Sequence, residues 1–303
     1  MAKIVGIGAS VADTLYTVPS YPKEDTKMRA ISSKVAGGGP CATGLVAASK
    51  LSQSTAYIGV LSTDANGAFL KKDFEKYGVG TEYVTTLDGY RSFTSVIWLC
   101  EDTATRTCVF DKGDLPALVL NEDQKCAIAE ADILMVDGNE MDAALAGAKI
   151  AKENGTTVLY DCGGLYPRVS ELLALTDVMI PSEEFALGHT GADNAEEAAR
   201  LLFNRYAPRV VVITQGKRGG ILFDGKTVTA YPIYPAEVKD SNGSGDVFHG
   251  AFAAGLCMGL DYLACCHFSS AVSALKCMGI GARESVPDLD TVKKYMKENG
   301  YEL

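Results

Sequence analysis

The sequence predicts an α/β protein with a mostly parallel central sheet and a smaller, separate β-sheet. Three observations lead there. Short apolar runs alternate with helix-like stretches along most of the chain, the rhythm of βα units. Between Thr81 and Asp111 that rhythm gives way to short alternating runs, Ser92 to Cys100 and Thr105 to Phe110, which read as antiparallel strands. The length of 303 residues suits one large α/β domain, alone or with a small companion.

The elements follow in order. Lys3 to Gly8 is a buried strand, with Asp13 just beyond its exit. Gly6-Ile-Gly8 half-resembles a dinucleotide fingerprint, but the third glycine is missing and residues 14–22 do not read as a helix, which argues against a Rossmann cofactor site. A polar stretch, 26–36, precedes Gly37-Gly-Gly-Pro-Cys-Ala-Thr-Gly44, where the backbone can pass close to a ligand or another strand. A small-residue helix follows, then a strand from Ala56 to Leu61 and a helix from Asp64 to Tyr77. Residues 14–36 and 91–112 together form the expected small sheet, a candidate lid over a main domain of residues 1–13, 37–90 and 113–303. Lone Trp98 reads as a packing residue of that sheet.

Past Pro116 come strands Ile133 to Val136, Thr156 to Tyr160, Val178 to Ile180 and Arg209 to Thr214. Helices are expected at Met141 to Asn154 and Asp193 to Tyr206. Asp13, Asp137, Asp161, Glu183 and Thr214 all fall at strand exits, which share one edge of an open parallel sheet. Several carboxylates on that edge favour an anionic, metal-bearing ligand. Thr214-Gln-Gly-Lys-Arg-Gly219 leads into a hairpin turning at Asp224-Gly225.

The stretch from Asp240 to Gly259 organises the rest. A glycine-punctuated turn, Asp240-Ser-Asn-Gly-Ser-Gly-Asp246, runs into a segment apolar on nearly every side, hence a buried helix. Its first N–H groups lack intrahelical acceptors and can cradle an anion such as phosphate. Asp246 stands at the mouth, where the helix dipole favours its ionised form, and could accept a proton from a bound hydroxyl. Gly250, Gly255 and Gly259 cost helix propensity and imply close neighbours. His249 reads as a packed, hydrogen-bonded residue. Helices at Tyr262 to Met278 and Leu289 to Asn299 close the chain.

The composition excludes some classes. A net charge of −10 with no basic block argues against nucleic acid or a membrane surface as partner. No apolar run is long enough to span a bilayer, and the first residues lack a signal peptide's features, so a cytoplasmic protein is expected. The nine cysteines include no Cys-x-x-Cys, which makes a zinc site a poor fit.

Together these motifs resemble the ribokinase-like (PfkB) family of sugar and nucleoside kinases. Asp240 to Asp246 is similar to its C-terminal signature, with Ser241 and Ser244 as conservative changes. Gly38, Gly39 and Thr43 fall on its N-terminal signature, Thr214, Gly216 and Gly219 on its phosphate loop, and Asp13 on its early sugar-binding aspartate. The resemblance implies a three-layer α/β/α fold with a β-sheet lid and ATP-dependent phosphorylation of a sugar hydroxyl. Asp246 would be the base, and the N–H groups of Gly243, Ser244 and Gly245 the anion hole. ATP would meet Thr214, Gly216, Gly219 and Lys217, with adenine near Ala271, Ala274 and Gly281. Mg2+ would involve Glu183, Glu184 and Asp161, largely through water. Many relatives also bind a monovalent cation, and for K+ the matching residues are Asp240, Ser241 and Ser285. Lid sheets of the family often pair, implying a homodimer. Gly37-Gly-Gly-Pro-x-Ala-Thr43 and Ala274-Leu-Lys-Cys277 are closest to a sulfosugar-phosphorylating branch, in which Lys27 would approach the sulfonate. That branch has an arginine where Asn139 stands here, and Thr43 replaces a sugar-binding asparagine. The expected acceptor is therefore a ketose or pentose, a sulfonated or otherwise modified sugar included. A nucleoside kinase of the same fold and a catalytically silent binding protein are the alternatives.

Overall fold

The computed structural model describes residues 2–103 and 105–302. Positions 1, 104 and 303, which fall within the predicted domain and lid ranges, lie outside the described residues. The strands are β1 (Ile4–Ile7), β2 (Val11–Val18), β3 (Ser32–Gly38), β4 (Thr55–Ser62), β5 (Val79–Gly80), β6 (Val84–Leu87) and β7 (Thr94–Cys100). They continue with β8 (Thr105–Asp111), β9 (Ile133–Val136), β10 (Thr157–Cys162), β11 (Val178–Pro181), β12 (Val210–Thr214), β13 (Gly220–Phe223) and β14 (Val228–Tyr231). The helices are α1 (Pro40–Lys50), α2 (Ala65–Lys76), α3 (Glu122–Glu130), α4 (Met141–Asn154) and α5 (Val169–Leu173). They continue with α6 (Glu183–Thr190), α7 (Ala195–Tyr206), α8 (Ser244–Cys257), α9 (Tyr262–Cys277) and α10 (Leu289–Glu298).

The main sheet runs β14-β13-β12-β11-β10-β9-β1-β4-β5, with β6 also on β4. It is parallel except for β13 and β14. Its apolar strands bury side chains on both faces, as a parallel sheet requires. One face packs on α1, α2, α8, α9 and α10, the other on α3, α4, α5, α6 and α7. The expected three-layer architecture is thus the observed one. Helix α3 escaped the sequence reading. It is short, and its start is set by a capping box between Asn121 and Gln124. No described helix is long and apolar enough to cross a membrane.

The second sheet has the order β3-β2-β7-β8. One expectation needs correction here. Asp13 is not at the exit of a main-sheet strand, because residues 11–18 form β2, and Asp13 pairs with Ala36 and Ser95 inside the small sheet. The two runs expected to be antiparallel, now β7 and β8, are so, while β2 and β7 are parallel and make the sheet mixed. A parallel pair needs a long crossover, and residues 19–93 supply it by passing through the main sheet and back.

Helix α8 is buried from Val247 to Gly255 and packs against α1 and α9. Its contact with α1 is backbone on backbone. A Cβ at Gly250 would lie 2.0 Å from the Gly44 carbonyl oxygen, and one at Gly255 would lie 2.9 Å from Cys265 Sγ. Gly259 departs from the expected reason: a Cβ there meets nothing within 4 Å, and its φ of +82° marks the left-handed residue beyond the helix end. Gly250→Ala should therefore cost about 1–3 kcal/mol by overpacking, read as a lower urea midpoint at unchanged slope. An unchanged midpoint would refute the close α1–α8 contact.

Candidate active site

A cleft of ≈ 500 Å³ lies between the strand-exit edge of the main sheet and the facing side of the small sheet. Its floor is the start of α8. Six helices carry a side-chain cap at their N-terminus: Asp64 on α2, Asn121 on α3, Ser182 on α6, Asn194 on α7, Asp261 on α9 and Asp288 on α10. Helix α8 has none, because its N-cap is Gly243. At φ +73° Gly243 is left-handed, and a Cβ there would lie 2.6 Å from Ala282 Cβ, so glycine is required on two counts. The first helical hydrogen bond runs from Val247 N–H to the Gly243 carbonyl at 2.9 Å. Ser244 N–H is drawn to the Ser241 carbonyl at 3.3 Å, which leaves Gly245 and Asp246 as the N–H groups ahead of that first bond. A Cβ on Gly245 would meet nothing within 4 Å, so the space above it is open.

Asp246 and His249 line the same cleft one turn apart. His249 is buried, with Nδ1 2.6 Å from the Gly245 carbonyl oxygen and Nε2 2.9 Å from that of Ile180. Its Nδ1 also lies 3.2 Å from Asp161 Oδ2. It ties the first turn of α8 to β11, in the packed manner read from the sequence. Burial pushes the Asp246 carboxyl above the usual carboxylate range, against the pull of His249 and Arg106. The helix dipole alone suggested the opposite direction. Asp161 is raised to about 7 by burial, with His249 lowering it and Asp246 raising it.

The opposite wall comes from the N-terminal glycines. Gly38 is required because a Cβ would sit 1.9 Å from Asp13 Oδ2, and Gly39 because its φ is +94° and Ala9 O would be 2.2 Å away. Asp13 accepts a hydrogen bond from Ser95 Oγ at 2.6 Å and is buried. Thr43, buried on α1, and Asn139, beyond β9, complete this side. Asn139 donates its N–H and Nδ2 to Asp137 Oδ1 at 2.9 and 3.2 Å. Asp137 also accepts from Ala9 N and Cys41 N at 2.9 and 3.0 Å. Its carboxylate is saturated by the chain itself, so this strand-exit acid holds α1 in place and has no capacity left for a metal.

The remaining predicted residues are dispersed. Thr214 and Ser241 line the cleft, whereas Gly216, Gly219 and Lys217 lie beyond its lining. Gly219 answers to its hairpin, since a Cβ would stand 2.2 Å from Tyr231 O. Glu183 accepts from Gln215 Nε2 at 2.7 Å and pairs with Arg218, tying α6 to the 214–219 loop. Glu184 is exposed on α6, away from the cleft. Among the described residues no group of three His, Cys, Asp or Glu could hold a metal. Of the three residues expected to meet Mg2+ through water, Asp161 faces the cleft, whereas Glu183 and Glu184 lie outside its lining. Ala271 is fully buried in the core and has no surface for an adenine ring, which corrects that expectation. Ala274 is half-buried, and Gly281 is buried at φ +101°. Lys27 is exposed in the β2–β3 connection, outside the cleft. Asp240 is buried and Ser285 partly so, both behind the loop.

Sequence reasoning missed four cations. Arg106 and Lys112, in and just beyond β8, line the cleft, and neither forms an ion pair among the described residues. Strand parity could have found Arg106, which lies on the same side as Cys108 and Phe110. Arg283 is fully buried, pairs with Asp73 at 2.6 Å, donates to the Gly38 carbonyl at 2.6 Å and lies over the Phe74 ring. Its guanidinium would be 2.1 Å from a Cβ on Gly37. Nothing local announces that role, because the partners lie over two hundred residues upstream. Lys276 is the fourth.

The burial of Asp13 has a measurable consequence. Burial raises its carboxyl to about 6, against the pull of the Ser95 hydrogen bond. The folded state therefore holds the proton more tightly than the unfolded one, so the contribution of Asp13 to stability is fully present below about pH 4 and is lost as pH rises through about 6. Asp13→Asn should remove that decline, worth at most about 3 kcal/mol, in denaturation series from pH 4 to pH 8. A parallel pH dependence in both proteins would refute it.

Comparison with known proteins places this geometry. A profile of the pfkB family carbohydrate kinase matches residues 1–289. Ribokinase of Arabidopsis thaliana is 26% identical over 306 residues, covering 97% of this chain and 81% of that protein. An ATP-dependent ribose-1-phosphate kinase of Halopiger xanaduensis is 26% identical over 300 residues, covering 98% and 99%. A structure of the Arabidopsis thaliana ribokinase with ribose and ATP superposes with TM-score 0.87 at 26% identity over 98% of this chain and 99% of that one. That of Thermotoga maritima ribokinase gives 0.84 at 22%, covering 98% and 100%, a likeness of fold. With the signature loops, the uncapped α8 and the facing small sheet all present, the chain belongs to the pfkB family of carbohydrate kinases.

Proposed function

We propose that the cleft transfers the γ-phosphoryl group of ATP to a sugar hydroxyl held against Asp13, Thr43 and Asn139, with Asp246 as the base. The observation that carries this reading is the meeting, in one cleft, of Asp246, the uncapped N–H groups of α8 and the Asp13–Gly38 wall. Asp246 stands at the third residue of α8, so a hydroxyl that it contacts lies beside the open space over Gly245. Its raised pKa makes it a stronger proton acceptor once ionised. The Gly245 and Asp246 N–H groups, left without intrahelical acceptors, would stabilise the negative charge that accumulates beside them, in an arrangement set before the reaction starts. The sequence reading gave Ser244 this duty too, but its N–H is turned toward Ser241.

On the nucleotide side Thr214 reaches the cleft, and the 214–219 loop is braced by Glu183. The exposed apolar side chains of Met278 and Ile280, 39% and 53% accessible, support an adenine seat around Ala274 to Gly281, in place of the buried Ala271. Magnesium bound with the nucleotide would neutralise phosphate charge, and Asp161 is the cleft carboxylate able to hold its water. Arg106 and Lys112, which line the cleft and form no ion pair among the described residues, favour a ketose or pentose that carries an anionic substituent. Lys27 does not support a sulfonate clamp in the observed arrangement.

The small sheet's far side supports pairing with a second copy. Val35, Val96 and Val109 stand in one cross-strand row through Thr14 and are 53%, 39% and 61% accessible. Val96→Lys with Val109→Lys should halve the mass measured by light scattering. An unchanged mass would exclude this face as the interface.

Asp246→Asn should lower kcat by about 10²–10⁴-fold while the KM for ATP changes little. The assay is a panel of pentoses, ketoses, phosphorylated, sulfonated and carboxylated sugars and nucleosides, with the product position read by NMR. Turnover of nucleosides alone would replace the sugar by a nucleoside. Nucleotide binding without turnover of any acceptor would overturn the catalytic reading.

A further inference from the structure

Of the three residues matched to a K+ site, Asp240 and Ser285 have their side chains engaged, and the Ser241 carbonyl accepts from Ser244 N–H at 3.3 Å. Asp240 is 4% accessible, and its carboxylate is already bonded: Oδ1 accepts from Asn242 N–H at 2.8 Å and Oδ2 from Gly281 N–H at 2.8 Å. The Ser285 hydroxyl donates to the Gly281 carbonyl. The Asp240 carbonyl, the remaining strong acceptor, receives Lys276 Nζ at 2.8 Å, and the same ammonium lies 3.9 Å from Asp240 Oδ2. Lys276 is wholly buried. A potassium ion at this acid would stand beside the buried Lys276 ammonium, and like charges at close range repel strongly in a buried site.

We infer that Lys276 is a built-in replacement for a monovalent cation, a positioning residue whose ammonium holds the phosphoryl-cradling loop in shape. Burial pulls its pKa down while Asp240 pulls it up, and the last turn of α9 adds the favourable end of a helix dipole. The clamp is local and complete. Lys239 and Asp240 N–H both reach the Cys277 carbonyl, at 2.8 and 3.2 Å, so the residue after Lys276 grips the same loop. Asp240 then sets Asn242, Asn242 is followed by left-handed Gly243, and Gly243 opens α8. Moving Asp240 moves the N–H groups that face the cleft. A lysine brings this charge permanently, where a free ion would bind and leave, so activity becomes independent of the alkali cation present.

This inference rests on the reading of residues 243–246 as the cradle, and its test separates the two. In the wild-type protein, the melting temperature and kcat should agree within error and within twofold, respectively, between KCl and choline chloride at equal ionic strength. Lys276→Ala opens a cation-sized space beside the Asp240 carbonyl and carboxylate. It should lose at least tenfold in kcat with little change in sugar KM in choline chloride. KCl should restore much of that loss and raise the variant's melting temperature, which needs no substrate to measure. Wild-type activity stimulated tenfold or more by KCl overturns the inference. So does a folded Lys276→Ala that keeps kcat within twofold, or whose loss no cation repairs. Should Lys276→Ala fail to fold, Lys276→Met serves for the kcat arm and the wild-type cation comparison still decides. If no acceptor is turned over at all, the melting-temperature arms judge the clamp independently of the proposed reaction.

Discussion

The structure depends on an apolar helix that begins, without a side-chain cap, at the bottom of a cleft. An uncapped helix start leaves N–H groups needing partners, each costing on the order of 1–3 kcal/mol if buried without one. Asp, Asn and Ser side chains cover that need at six helices, whereas α1, α4 and α5 share with α8 the lack of a side-chain cap. At α8 the start lies in the cleft with open space over Gly245, and the surroundings hold the helix in place. The Gly44–Gly250 backbone contact pins it to α1 and Ser273 Oγ grips the Ser244 carbonyl at 3.0 Å. His249 bridges Gly245 to Ile180.

Charge is distributed around that point in opposition. Asp13, Asp161 and Asp246 gather in one partly dry space and are all pushed toward their neutral forms by burial. Lys276 and Arg283 sit behind the two glycine loops, each bonded to a backbone carbonyl and a carboxylate. The acids face the cleft, and the buried cations hold the backbone of the two glycine loops. Such placement costs desolvation and gives rigid loops, which a site relying on preformed N–H groups requires.

The small sheet divides its labour by strand parity. Asp13, Ser95 and Phe110 share one face and look into the cleft, while Thr14, Val96 and Val109 share the other. A period of two gives one strand a polar, ligand-facing side and an apolar outer side at once. This is why β8, exposed along its whole length, still carries an arginine to the cleft.

Much of this was legible in the chain alone. The αβ rhythm, the break at residues 81–111 and the apolar run after Asp246 are periodic, short-range signals, and local sterics determine them. The glycine loops and Asp246 were legible because their chemistry is written in consecutive residues. What tertiary structure decided was which polar residues remain available. Asp137 and Glu183 looked like Asp161 in sequence, yet the first is saturated by backbone N–H groups and the second is held by Gln215 and Arg218. Asp13 moved from a strand exit to a neighbouring sheet because pairing with β3 and β7 outweighed its place after β1. Lys276 and Arg283 gave no local sign, since a cation's burial depends on carboxylates and carbonyls brought from tens to hundreds of residues away. Sequence sets periodicity and residue type, but whether a donor or acceptor is free depends on distances between distant segments, and only the folded chain defines those.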